Sequence, residues 1–379
     1  MEEIKRTEDI LNLANSFANR LSTVMLHELK TIPARLKHTS WMDVIPSYRF
    51  EMLIDPDELP SVGLTPFETV YEENSIKVRR YVTNDKITKK TPILFIYALI
   101  NKSYILDLIP NFSIVEFYKK QGFDVYLIDW GVPEAEHKFL TMEDYIDGYI
   151  NNSVDMIREV TGSSKVNIFG WCMGGNLAVI YTALFPEKVK NLITLTLPMD
   201  AAHGGLLSLW ASEELFHLTK TIELFGNMPA KLIRYSVIMM YPFNEMRKNA
   251  NFYDNLHNPQ YVNAYALAEK WINDNIDVPG QVMLQFIKDI FQTTKLKDSQ
   301  MEIGKRKVEL KKITMPLLNI AAEEDNLIPR ESSGAINQLV GSKDNDFWII
   351  PGGHVSFAYS PTSMQYWIKI AAWLTERDN

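Results

Sequence analysis

The feature that most constrains this chain is the run Ile168-Phe169-Gly170-Trp171-Cys172-Met173-Gly174-Gly175-Asn176, which stands between an apolar strand-like stretch and a helix-like one. Gly170 and Gly174 flank the cysteine at the spacing of a G-x-S-x-G nucleophile elbow, a strained strand-to-helix turn that needs small neighbours to lift the nucleophile out. The motif therefore demands a strand, a tight bend and a helix in that order. Sulfur stands where oxygen is usual. At a helix N-terminus the dipole and the free amides favour a thiolate, so Cys172 is a candidate nucleophile. The bland alternative is a small buried hydrophobe, which is what most free cysteines are. Cys172 is the only cysteine in the chain, which forbids an internal disulfide and fits a reducing compartment.

The surrounding pattern supplies the rest of the sheet that such a turn requires. Ser75–Val82 reads as an early strand. Short apolar runs follow at Pro92–Ile100, Asp124–Trp130, Lys165–Phe169, Leu192–Leu197, Pro316–Ala321 and Phe347–Ile350, each reading as a buried parallel strand. Helical patterns at Ile114–Gln121, Met142–Val160 and Asn176–Phe185 are placed as right-handed crossovers. This alternation predicts an α/β sheet. With 379 residues, 46% of them hydrophobic and 23% charged, the chain has enough apolar material for one large domain or two modest ones.

Four segments follow from the pattern: an N-terminal helical segment (1–60), a first part of the core (61–198), an insertion (199–314) and a second part of the core (315–379). In the first, Ile10, Leu13, Ala14, Phe17, Leu21, Val24 and Met25 recur at helical spacing, giving an amphipathic helix whose apolar face packs on the core or on a partner subunit. The insertion contains helical stretches at Leu206–Leu218 and Tyr261–Ile276. It reads as a mainly helical cap over the C-terminal edge of the sheet, where open α/β sheets bind ligands.

An elbow nucleophile needs a base and an acid to orient it, in the chain order nucleophile, acid, histidine. Asp325 follows the apolar run Leu317–Ala322, and His354 follows Phe347–Ile350 and Pro351-Gly352-Gly353. Glu323 and Glu324 occupy the same acidic loop, and spacing does not choose among the three carboxylates. None of His27, His38, His137, His203, His217 and His257 shares the strand-end, glycine-preceded setting of His354. For the oxyanion, the Met173 amide is one expected donor and Ile100, at the end of an earlier strand, the other.

Other chemistries lack their motifs. No dinucleotide or P-loop glycine pattern and no H-E-x-x-H is present, and one cysteine cannot build a thiolate zinc site, so no cofactor or metal is expected. A formal charge of −8 argues against general nucleic-acid binding. The longest apolar run, Ile93–Ile100, is too short to span a bilayer, and the Met-Glu-Glu start lacks signal-peptide features, so a cytoplasmic location is expected.

These residues resemble a known family. Gly170-Trp171-Cys172-Met173-Gly174-Gly175 is similar to the G-x-C-x-G-G box of the catalytic subunit of class III and class IV polyhydroxyalkanoate synthases. Tyr97-Ala98-Leu99-Ile100-Asn101-Lys102-Ser103-Tyr104-Ile105-Leu106-Asp107-Leu108 and Gly122-Phe123-Asp124-Val125-Tyr126-Leu127-Ile128-Asp129-Trp130-Gly131 reinforce the likeness. It runs from about Val62 to Trp373-Leu374. The resemblance implies an α/β-hydrolase fold with Cys172 as acylated nucleophile, His354 as base and Asp325, rather than Glu323 or Glu324, as the linked carboxylate. Further implications are a coenzyme A thioester as substrate, a short 3-hydroxyacyl group as the unit polymerised, and a second synthase subunit of class III or class IV type. A homo-oligomer on the polymer granule surface is expected as well. The chain departs from many relatives at Asn326, where a histidine commonly follows the aspartate.

Two rival functions remain. A dienelactone-hydrolase-type thiol hydrolase shares the G-x-C-x-G-G box but is much smaller. A non-catalytic granule scaffold would have no need of an ordered triad. The single cysteine adds a constraint: elongation uses thiols from two subunits or a noncovalently held hydroxyacyl-CoA, because one chain cannot pass a polymer between two thiols of its own.

Overall fold

The structure, a computed structural model, describes residues 61–82 and 86–378, without the side chains of residues 242–246 and 249. The amphipathic helix expected over Ile10–Met25 lies outside the described residues.

Among the described residues eight strands form one sheet: β1 (Phe67–Glu73), β2 (Ile76–Tyr81), β3 (Ile93–Ile96), β4 (Val125–Asp129), β5 (Val166–Trp171), β6 (Val189–Leu195), β9 (Leu317–Ala322) and β10 (Asn345–Ile350). A small hairpin, β7 (Glu302–Ile303) with β8 (Arg306–Lys307), stands apart. The sheet order is β1-β2-β4-β3-β5-β6-β9-β10. From β4 to β10 neighbouring strands are parallel, while β2 runs antiparallel to both β1 and β4. Every residue of β3, β5 and β9 is buried, as a parallel sheet covered on both faces requires.

Strand β1 has no counterpart in the sequence reading. Its residues are mostly exposed or half-buried and include three glutamates, so it lacks the apolar run that marks the inner strands. The expected strand ending at Ile100 stops at Ile96, because the Tyr97 carbonyl turns to accept the Trp130 indole N–H at 2.9 Å and the chain leaves the sheet.

Three helices serve the sheet as crossovers: α1 (Ile114–Lys120), α2 (Asn151–Thr161) and α3 (Met173–Leu184). Helix α1 shows why its boundaries fall where they do. The Ser113 hydroxyl accepts the Glu116 amide at 3.2 Å as an N-cap, and Lys119 and Lys120 close the last turn, where the dipole favours cations. Helix α3 has no polar face. Met173 through Ala183 are all buried, and each fully buried aliphatic side chain such as Leu177, Val179 or Ile180 stabilises the fold by about 1.5–3 kcal/mol. The sheet order reverses between β3 and β5, and α3 follows β5 directly, so its N-terminus sits at the topological switch point of the sheet.

Between β6 and β9 the chain is mainly helical: α4 (Gly205–Trp210), α5 (Leu218–Phe225), α6 (Ala230–Met240), α7 (Pro242–Asp254), α8 (Pro259–Asn273) and α9 (Gly280–Phe286). The helical stretch expected over Leu206–Leu218 is helical only as far as Trp210, and α5 begins at Leu218. Helix α4 tightens at its end, with Ser212 N–H bonding Leu209 C=O at 3.2 Å, and the Ser212–His217 turn precedes α5. Residues 199–236 and 266–314 belong to the same compact unit as the sheet, whereas Val237–Tyr265 falls in a separate unit. Within that second unit the Phe252 and Tyr265 rings lie 4.5 Å apart.

Candidate active site

Strand β5 delivers Cys172 at φ 54° and ψ −124°, as N-cap of α3. This left-handed conformation is uncommon for a residue with a Cβ, and it costs of order 1–3 kcal/mol. The flanking contacts enforce it. The Cys172 amide donates to Leu195 C=O on β6 at 2.8 Å, and the Cys172 carbonyl accepts the Gly175 amide at 2.8 Å. A Cβ on Gly170 would stand 2.7 Å from that of Ala178, and one on Gly174 would overlap the Ile96 carbonyl oxygen. Both glycines of the motif are thus required by close backbone approach, and Cys172 is left 8% exposed.

His354 arrives on the turn after β10. Gly352, at φ +101°, takes a conformation that favours glycine, and the Ser356 hydroxyl accepts the Gly353 amide at 2.9 Å to hold the bend. The imidazole Nδ1 donates to Asp325 Oδ2 at 2.7 Å. Asp325 is itself fixed: its Oδ1 accepts the Leu327 and Ile328 amides, each at 2.9 Å, and its side chain is fully buried. Glu323 and Glu324 are exposed, with their amides tied to Ile350 and Gly352 carbonyls, so neither carboxylate is the histidine's partner.

With Nδ1 engaged, Nε2 is the nitrogen left available to the Cys172 side chain. Burial opposes the charged imidazolium, but the Asp325 charge, the electrostatic influence of Cys172 and the hydrogen bond to Asp325 outweigh it. His354 is therefore held well above its ordinary value of 6.5. Cysteine, histidine and aspartate, 182 positions apart at their extremes by numbering from 172 to 354, are thus brought together, with the histidine hydrogen-bonded to the aspartate and electrostatically coupled to the cysteine.

The remaining expected site residues lie around this chain. Met173 opens α3, immediately after Cys172. Ile100 lies in the turn after β3, its carbonyl accepting the Ile276 amide at 3.2 Å. This turn is fastened along its length. Trp271 donates its indole N–H to the Lys102 carbonyl at 2.8 Å, Lys102 pairs with Asp274 at 2.9 Å, and the Tyr104 hydroxyl donates to Asp274 at 3.1 Å. Asn101 also hydrogen-bonds Asn275. No sequence signal announces this clamp, because its partners are some 170 residues apart and none belongs to a local motif.

Of the other histidines, His137 closes a capping box with Glu134, and His203 pairs with Asp200; neither meets a thiol. Among the described residues no cluster of three or more His, Cys, Asp or Glu is placed to hold a metal, and no helix is long and apolar enough to cross a membrane.

An eight-stranded, mostly parallel sheet carrying a strained cysteine after its central strand, with an aspartate and a histidine at two later strand ends, defines an α/β-hydrolase fold. The sequence matches the alpha/beta hydrolase fold family over residues 91–361. Two solved structures share that fold at low identity. A thermophilic esterase from Thermogutta terrifontis has a TM-score of 0.51 at 14% identity, with 83% of this chain and 98% of that one covered. Monoglyceride lipase from Saccharomyces cerevisiae has a TM-score of 0.50 at 10% identity, with 84% and 96% covered.

Within the fold, residues 60–118 match the family described as Poly-beta-hydroxybutyrate polymerase (PhaC) N-terminus. The chain is 39% identical to the poly(3-hydroxyalkanoate) polymerase subunit PhaC of Haloferax mediterranei over 84% of its own length, and spans 65% of that relative. It is 36% identical to the PhaC subunit of Allochromatium vinosum, covering 84% of this chain and 91% of the relative. For Thiocystis violacea the identity is 35%, with 86% and 92% covered. The chain belongs to the poly(3-hydroxyalkanoate) polymerase (PhaC) family.

Proposed function

We propose that this chain polymerises short (R)-3-hydroxyacyl groups, 3-hydroxybutyryl among them, from coenzyme A thioesters into a polyester. The observation that carries the reading is the Cys172–His354–Asp325 chain on a strained elbow, in a member of the PhaC family. Cys172 is the nucleophile, His354 the base and Asp325 the group that fixes its tautomer.

In the first step the Cys172 sulfur attacks the thioester carbonyl. A carbon–sulfur bond forms, the carbonyl electron pair moves onto oxygen, and collapse expels coenzyme A thiolate, which takes a proton from the His354 imidazolium. In the second, neutral His354 removes the proton from the hydroxyl of another monomer or chain as that oxygen attacks the acyl-cysteine. The new ester forms and Cys172 leaves as thiolate, the imidazolium restored. Exchange of one thioester for another is nearly balanced, which suits a thiol nucleophile. The Met173 amide and a donor on the Ile100 turn hold the oxyanion. The segment between β6 and β9 limits water, whose attack would end the chain.

No cofactor is needed in this scheme, since the coenzyme A thioester is the substrate. The reading includes a second synthase subunit of class III or class IV type, a homo-oligomer and residence at the polymer granule surface in the cytoplasm. Product analysis tests it. Purified chain is given 3-hydroxybutyryl-CoA with candidate second subunits added in turn, and polymer accompanying coenzyme A release is the expected result. Cys172→Ala should abolish both. Free 3-hydroxybutyrate without polymer would overturn the reading in favour of a thiol hydrolase, and undiminished function of Cys172→Ala would favour a scaffold.

A further inference from the structure

Tyr97 is the first residue after β3, and three features single it out. Its backbone is locked: a Cβ on Gly174 would collide with the Tyr97 carbonyl group, so this residue packs directly on the first turn of α3, two residues past Cys172. The ring is locked as well, lying edge-on to Trp171 at 5.3 Å and to Trp271 at 6.2 Å. The phenol, by contrast, is unengaged. Among the described residues its hydroxyl has no hydrogen-bond partner, yet it is not one of the sealed, unpartnered polar atoms, which include Trp171 Nε1 and Thr196 Oγ1. The 2% of Tyr97 that remains exposed thus includes the oxygen.

Burial first, and the charge on the neighbouring Cys172 second, hold the phenol well above its ordinary value of 10.0. It is therefore a neutral O–H donor whenever the enzyme works. A rigid aromatic side chain that offers an unsatisfied donor beside a nucleophile is matched to an acceptor that exists only when substrate is bound. Two acceptors belong to this site: the sulfur of Cys172, present at all times yet not hydrogen-bonded by the phenol, and the carbonyl oxygen of the acyl group, present only with substrate.

We propose that Tyr97 is a catalytic residue whose phenol donates a hydrogen bond to the acyl oxygen as Cys172 adds to the thioester, adding a side-chain donor to the backbone amides. The bond shortens as the carbonyl electron pair moves onto oxygen and relaxes on collapse, and the phenol keeps its proton throughout. This inference rests on the acyl-transfer reading above.

The test is Tyr97→Phe, which keeps the ring and its packing and removes a hydroxyl that bonds no protein group, so the fold loses no internal hydrogen bond. Two rates are compared in the full chain with its second subunit: coenzyme A release from 3-hydroxybutyryl-CoA, and alkylation of Cys172 by iodoacetamide, in which no oxyanion develops. Loss of one oxyanion donor predicts a fall in kcat of roughly 10²-fold, with the alkylation rate and the melting temperature unchanged. Unchanged kcat would overturn the proposal, and so would an equal fall in both rates, which would place the phenol on the thiol. Failure of the wild-type chain itself to release coenzyme A would instead overturn the acyl-transfer reading.

Discussion

Among the described residues there are two aspartate–histidine pairs, and they behave as opposites. His354 and Asp325 lie 2.7 Å apart with side chains 17% and 0% exposed. His203 and Asp200 lie 3.0 Å apart, but the histidine side chain is 59% exposed. Each aspartate follows a parallel strand of the sheet by a few residues, β9 in one case and β6 in the other. The third group separates them. Asp325 has two backbone amides and its histidine leads on to a thiol, whereas Asp200 is also gripped by Lys297 at 2.8 Å and its histidine leads to solvent. An acid beside a histidine is thus a common surface arrangement, and burial together with a reactive third member turns it into a candidate site.

The contrast is broken or sharpened most strongly by removing each carboxylate charge. Asp325→Asn should lower the rate of coenzyme A release by about 10⁴-fold, through loss of the imidazole tautomer, with the fold retained. Asp200→Asn should leave the rate within about threefold, since nothing reactive hangs on that pair. A large loss in the second variant would erase the distinction.

A pH series of melting temperatures gives a smaller, opposite-signed pair of effects. The folded pKa of His354 is raised, so its contribution to stability is full below about 6.5 and is lost as pH rises through the raised value. Burial raises the pKa of Asp200, but the Lys297 and His203 hydrogen bonds, the Ala202 amide and the Lys297 charge bring it below its ordinary 3.8. Its contribution is present above 3.8 and disappears as pH falls through the depressed value. His354→Gln should flatten the alkaline side of the profile alone, and Asp200→Asn the acid side alone. The smallest effect belongs to His203→Ala, which denaturant unfolding should place within about 0.5 kcal/mol of wild type because the pair is exposed on the histidine side.

The elbow was legible because its chemistry is local: two glycines, one thiol and two apolar flanks within nine residues. The order nucleophile, acid, histidine was legible too, since each partner follows an apolar run. The choice of Asp325 over Glu323 and Glu324 was not legible from spacing. It depends on which of three adjacent backbone positions turns inward, and that is decided by hydrogen bonds to Ile350, Gly352, Leu327 and Ile328. Strand β1 escaped notice because an edge strand with three glutamates carries no burial signal. The role argued for Tyr97 was hidden for another reason: an aromatic residue after an apolar run reads as core, and only the structure leaves its hydroxyl without a protein partner.

The clamp between the turn after β3 and Trp271–Ile276 carries a consequence of its own. Two cation- or hydroxyl-bearing side chains, Lys102 and Tyr104, converge on the single carboxylate of Asp274, while Asn101 and the Ile100 carbonyl bond the next two residues. Because these attachments are distributed along the turn, the segment cannot swing aside as an independent flap without either breaking them together or dragging the turn along. On the acyl-transfer reading proposed above, opening and site geometry are mechanically geared: whatever admits a new monomer also unseats the turn assigned to the oxyanion, so the acylated enzyme is least reactive at the moment when water has its best access.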